Sequence, residues 1–92
     1  MEITEQLDRV KVLLKNEKAS EAKEAFDLIG AFNSVDYFLV KGSIEQKFQH
    51  WGEAINAYNR VIEIDPDNEE AKNNLHLIQN ILNFWNPDQY NP

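Results

Sequence analysis

The chain has no cysteine, a single methionine, and only three glycines and three prolines in 92 residues. Without cysteine there can be no disulfide, no thiolate metal site and no thiol nucleophile. So little glycine and proline leaves few turn-formers, which favours a helical chain over a sheet rich in turns. Long apolar runs are missing too: no stretch approaches the ~18 residues needed to cross a membrane. The N-terminal segment MEITEQLDRVKVLLKNEK has charges scattered through it and no continuous apolar centre, so it does not read as a signal peptide. A cytoplasmic location is expected. Basic residues are also scarce, nine Lys and Arg against sixteen Asp and Glu, for a formal net charge of −7. That balance disfavours nucleic acid and anionic membrane surfaces as partners, since both call for a basic face. It suits basic or neutral protein partners.

What is present is ordinary for a small globular protein: 42% hydrophobic and 27% charged residues. A chain of this length makes one domain, near the lower size limit for a core without staples. Apolar residues recur at helical spacing in five segments. The first covers roughly 2–15, with Ile3, Leu7, Val10 and Leu14 on one stripe. The second covers roughly 20–30, with Ala22, Ala25, Phe26 and Ile29 inward and Ser20 as its expected N-cap. The third runs from after Ser34 to about Gln49, burying Tyr37, Val40, Ile44 and Phe48. The fourth spans about 51–64, with Trp51, Ala54, Ile55, Tyr58, Val61 and Ile62 inward, and stops at Asp65-Pro66. Asp67, with Glu70 three residues on, has the spacing of a capping box opening a fifth helix to about Asn83 or Phe84.

The chain also repeats itself. Glu21-Ala22-Lys23-Glu24-Ala25-Phe26 aligns with Glu53-Ala54-Ile55-Asn56-Ala57-Tyr58, 32 residues apart, and both read E-A-x-x-A-aromatic. Alanine lets two helix backbones approach, and a ring one turn later fills the space above. Gly42 stands in mid-helix, where it costs ~1 kcal/mol relative to alanine, and so marks a close helix contact. The stretch from Tyr37 to Pro66, with Phe38, Gly42, Ala54, Tyr58 and Pro66 in place, resembles a tetratricopeptide repeat, a helix–turn–helix unit of 34 residues. Lys41 and Glu45 depart from that pattern, which usually has Leu and an aromatic there. Leu7, Asp8 and Arg9 stand where the first copy lacks the aromatic–Leu–Gly signature.

The resemblance implies an all-α fold of about five helices in a right-handed superhelical stack. Its parts would be repeat one at about 2–30, repeat two at about 35–66 and a capping helix at about 68–83, together a domain over 1–83. A tail of 84–92 follows. It further implies a non-enzymatic module that binds a protein or peptide in the groove lined by the first helix of each repeat. That groove would take Leu7, Lys11 and Leu14 from the first helix, Leu39, Ser43 and Gln46 from the third, and Asn73, Leu77 and Asn80 from the fifth. The Lys, Asn and Arg clamp that some members use for a peptide carboxylate is largely missing, so an apolar or aromatic segment fits better. The same leucines could equally pack on neighbouring helices.

Little in the sequence points to chemistry. His50 and His76 form no i, i+4 pair and read as structural or surface residues. Asp65, Asp67, Glu69 and Glu70 lack the alternating ligands and sharp-turn glycine of a calcium loop, and serve as helix punctuation. There is no nucleophile elbow, phosphate loop or H-E-x-x-H. No cofactor, metal or catalytic residue is expected. The fifth helix carries a second clue. Ala71, Leu75, Ile78 and Leu82 make one stripe, and Leu77 and Ile81 widen it to an arc of roughly 160°. The alternative function is therefore self-association, with Ile81, Phe84, Trp85 and Tyr90 as contacts in a homo-oligomer or as an intramolecular cap.

Overall fold

The computed structural model describes residues 3–85, and among them every regular element is an α-helix. The order is α1 (Ile3–Lys15), α2 (Ala19–Asp27), α3 (Val35–Lys47), α4 (Trp51–Ile64) and α5 (Glu69–Trp85). Short connections make sequence neighbours pack against each other: α1 on α2, α3 on α4, α4 on α5. The central element is α3, which also touches α1 and α2 and so joins the two pairs. Residues 86–92, with Tyr90, lie outside the described residues, as does the Trp85 side chain.

Two local motifs set the pairing. At the end of α1, the Lys18 amide reaches back to the Leu13 carbonyl at 2.9 Å and the Glu17 amide to Leu14 at 3.1 Å. At the end of α3, the His50 amide bonds Glu45 at 2.8 Å and the Gln49 amide bonds Gln46 at 3.0 Å. Both are Schellman caps, closed by a residue in the left-handed region. Glu17 and Gln49 occupy that place, each at φ +60°. The cap leads straight into the next helix, whose first bonds are Ala22 to Lys18 and Ala54 to His50, both 2.9 Å. Ser20 is consequently inside α2 and caps nothing. The capping position is Lys18, without a side-chain bond, because the turn already fixes where the helix starts.

The other starts use side chains. Ser34 Oγ accepts from the Tyr37 amide at 3.1 Å, at the head of α3. Asn68 Oδ1 accepts from the Ala71 amide at 2.9 Å, and its Nδ2 donates to Asp65 at 3.2 Å. The cap of α5 is therefore Asn68 rather than Asp67, since Asn68 can bond the helix amide and the preceding carboxylate together. At the other end, α5 continues to Trp85, and α2 and α3 stop at Asp27 and Lys47, short of the expected bounds.

Two apolar clusters share α3. Leu7, Val10, Ala22, Phe26, Tyr37, Val40 and Ile44 form the first. Leu39, Ala54, Tyr58, Val61, Ala71 and Ile78 form the second, with Leu75 and Leu82 packed against it. At the crossing of α3 and α4 the Tyr58 ring lies on Gly42, where a methyl group would stand 2.5 Å from ring carbon Cζ. The glycine is therefore a requirement of the fully buried ring.

Candidate functional site

The ring laid over Gly42 sends its hydroxyl to the far side of α3. There Tyr58 donates to Gln46 Oε1, and Ser43 Oγ sits 3.5 Å from the phenol oxygen. Burial raises the Tyr58 pKa above its ordinary value; the Ser43 bond lowers it in part, and Glu70 raises it further. The phenol stays neutral and fixes two side chains on one face of α3.

That face is hollow. Lys11 and Leu14 of α1, Asp36, Leu39, Val40 and Ser43 of α3, and Glu70 of α5 line a depression of about 210 Å³. Ser43 also borders a second depression with Gln46, Lys47 and Trp51. The first volume is below the range usual for a drug-sized ligand, and fits one or two side chains of a longer segment. Its floor is aliphatic, and its charged residues are Asp36, Glu70 and Lys11. Lys11 also lies 4.0 Å from Asp8 in an exposed i, i+3 pair.

Of the nine residues expected in a groove, Lys11, Leu14, Leu39 and Ser43 meet in this depression and Gln46 in the adjoining one. Leu7 is placed differently: at 3% exposure it belongs to the first core cluster. Its stripe with Val10 turns it toward α2 and α3. Leu39, at 9%, both packs in the second cluster and borders the hollow. Asn73, Leu77 and Asn80 are exposed on α5 and border neither depression. Sequence reasoning missed Asp36, Val40, Lys47, Trp51 and Glu70. Four-residue spacing could have found Val40 and Lys47, which repeat Asp36 and Ser43 one turn on.

Of the residues expected in tail contacts, Ile81 is half-buried and Phe84 is 76% exposed. Among the described residues no group of three His, Cys, Asp or Glu is arranged to hold a metal ion. None of the described helices is long and apolar enough to cross a membrane.

The family comparison bears on the same helices. A family model described as a TPR repeat matches residues 49–80. Residues 49–80 are thus similar to a tetratricopeptide repeat. The match covers α4 and most of α5, so this repeat is framed on the second helix of one pair and the helix that follows. No curated protein and no solved structure matches the chain. Tetratricopeptide repeats are protein-interaction units.

Proposed function

We propose that the chain is a protein- or peptide-binding module whose groove runs over α1, α3 and α5. The observation that carries this reading is the depression itself: Leu14, Leu39 and Val40 form an apolar floor, with Asp36 and Glu70 at its edge. A bound segment would place an aliphatic or aromatic anchor on that floor and a basic residue near the two carboxylates. Pre-formed helices lower the ordering cost of such binding. Tyr58 contributes by holding Ser43 and Gln46 in one orientation.

The test uses exposed groove residues, so that binding and folding separate. Asp36→Lys combined with Glu70→Gln should keep the helical spectrum and melting temperature close to wild type, because both side chains line the depression and are exposed. Proteins captured from the source lysate by the wild-type chain should be lost from this variant. Retention of the same captured set would remove the groove from the function.

A second reading, self-association through α5, is favoured by one observation: Leu77 is 50% and Phe84 76% exposed on the last helix. Molar mass in solution separates the two. A dimer that dissociates on Leu77→Ser supports self-association, and a monomer at all concentrations supports the groove.

A further inference from the structure

On another side of α3 lies a notch of about 350 Å³, bounded by the bend after α2 and by α4. At 100° per residue, Tyr37, Phe38 and Lys41 point roughly 150° away from Asp36, Val40 and Ser43, so the notch and the groove lie on nearly opposite sides of the helix. They share no residue.

The notch is aromatic and basic. Phe32, in the bend, is 45% exposed, and Phe38 is half-buried. The Arg60 guanidinium stands 5.3 Å from the Phe38 ring centroid, a cation–π distance. Asn33 Oδ1 accepts from Arg60 at 3.5 Å, and Glu63 pairs with it at 3.0 Å. Lys41 completes the lining; it is half-buried, and no carboxylate pairs with it among the described residues. The carboxylates nearest the notch lie against other partners: Glu45, one turn on from Lys41, is 3.7 Å from His50. Asp27, whose charge helps raise the Tyr37 pKa, is held by Lys23 at 3.0 Å, and Glu63 by Arg60. An ammonium that has lost part of its water without gaining a counter-charge is unfavourable. In a chain with sixteen acidic and nine basic residues, Lys41 without a counter-charge, beside two rings and the Glu63-paired Arg60, is a local reversal of the overall charge.

We propose that this notch is a second interaction surface that takes an acidic segment of another protein. An Asp or Glu carboxylate would be received by Lys41 and Arg60, and a neighbouring aliphatic side chain would rest on Phe32 and Phe38. The two sides of α3 then select partners of opposite charge, the groove basic segments and the notch acidic ones. The notch does not depend on the groove reading, and the two fail separately.

Amide NMR of the full chain, titrated with acetyl-Leu-Asp-Leu-Asp-amide, tests it. Saturable shifts at Phe32, Asn33, Lys41 and Arg60 are expected, weakening as salt is raised. The Leu-Asn-Leu-Asn peptide should bind roughly tenfold or more weakly, because it cannot offer a carboxylate to the two cations. Lys41→Met keeps the apolar stem and should weaken the acidic peptide similarly, and Phe32→Ala gives an independent variant in an exposed bend. Equal binding of both peptides, shifts confined to Lys11, Leu14 and Ser43, or no saturation would each overturn the proposal. So would inorganic phosphate reproducing the shifts and displacing the peptide at equal concentration, which would make the notch a phosphate site.

Discussion

Val10 and Phe26 occupy in the first helix pair the places that Gly42 and Tyr58 occupy, 32 residues on, in the second. Both pairs turn on the same Schellman cap, and both put a fully buried alanine, Ala22 or Ala54, one turn before the ring. The rings then go different ways. Phe26 stacks on Tyr37 of α3, with centroids 4.9 Å apart and planes 29° apart, and a fully buried Val10 fills the core beside it. Tyr58 lies on α3 itself, and only a glycine leaves room. Where α3 meets the preceding pair with Tyr37, α5 meets the second pair with the fully buried Ala71. The small residue at a crossing is thus set by where the neighbouring ring lies, and a repeat can keep its backbone while changing both.

Placing the same alanine at both crossings tests this most severely. Val10→Ala should cost about 2 kcal/mol through lost burial and the cavity left behind. Gly42→Ala should also lose stability, by about 1–3 kcal/mol, although alanine is ~1 kcal/mol the better helix former. The added methyl meets a ring that is 0% exposed and has no room to retreat. Urea unfolding midpoints would measure both. A more stable Gly42→Ala protein would mean that Tyr58 does not lie on α3, and the contrast between the pairs would collapse.

A smaller effect isolates the hydroxyl that Phe26 lacks. Tyr58→Phe should cost about 1 kcal/mol, the usual net worth of the bonds it makes with Gln46 and Ser43. It should also change the alkaline limb. Burial holds the Tyr58 pKa above its ordinary 10.0 in the folded state. Below about pH 10 the phenol is protonated in both states and its contribution is fully present. Above that, the unfolded chain releases a proton that the folded chain keeps, so stability falls as pH rises toward the folded pKa. Tyr37, also raised by burial and then by Asp27, adds to the same trend. Melting temperatures between pH 9 and 11 should therefore decline less steeply in Tyr58→Phe. Parallel declines would remove Tyr58 from the alkaline transition.

The sequence carried the helices and the close contact at Gly42 because period and residue size are written directly in it. The caps were less visible. Ser20 has the chemistry of an N-cap, yet the turn that fixes the start of α2 is made by backbone bonds, which any residue can supply. Asp67 and Asn68 are both good caps, and only the extra bond from Asn68 to Asp65 distinguishes them. Leu7 and Leu39 sit at equivalent places in the two pairs. Leu7 is enclosed by the first cluster, whereas Leu39 reaches the edge of the hollow. Side chains on one helical stripe differ in exposure according to what packs above them, and a single helix does not record its neighbours.

The least visible feature yields the last and smallest prediction, and it treats the two pairs as equals. Glycine is the usual residue at a left-handed Schellman cap, yet Glu17 and Gln49 hold these places at φ +60°. A side chain bearing Cβ is strained there, while glycine is not. Glycine also gives the unfolded chain more freedom, which offsets part of the relief. Glu17→Gly and Gln49→Gly should each stabilise by about 0.5–1 kcal/mol on these grounds. The two caps share no bond, so the double variant should gain close to the sum. A gain at one cap only would show that the pairs differ in the turn as well as at the crossing. A loss at both would mean that the Glu17 and Gln49 side chains do work at the turn that outweighs the strain. Equal and additive gains would leave the crossing as the place where the two pairs diverge.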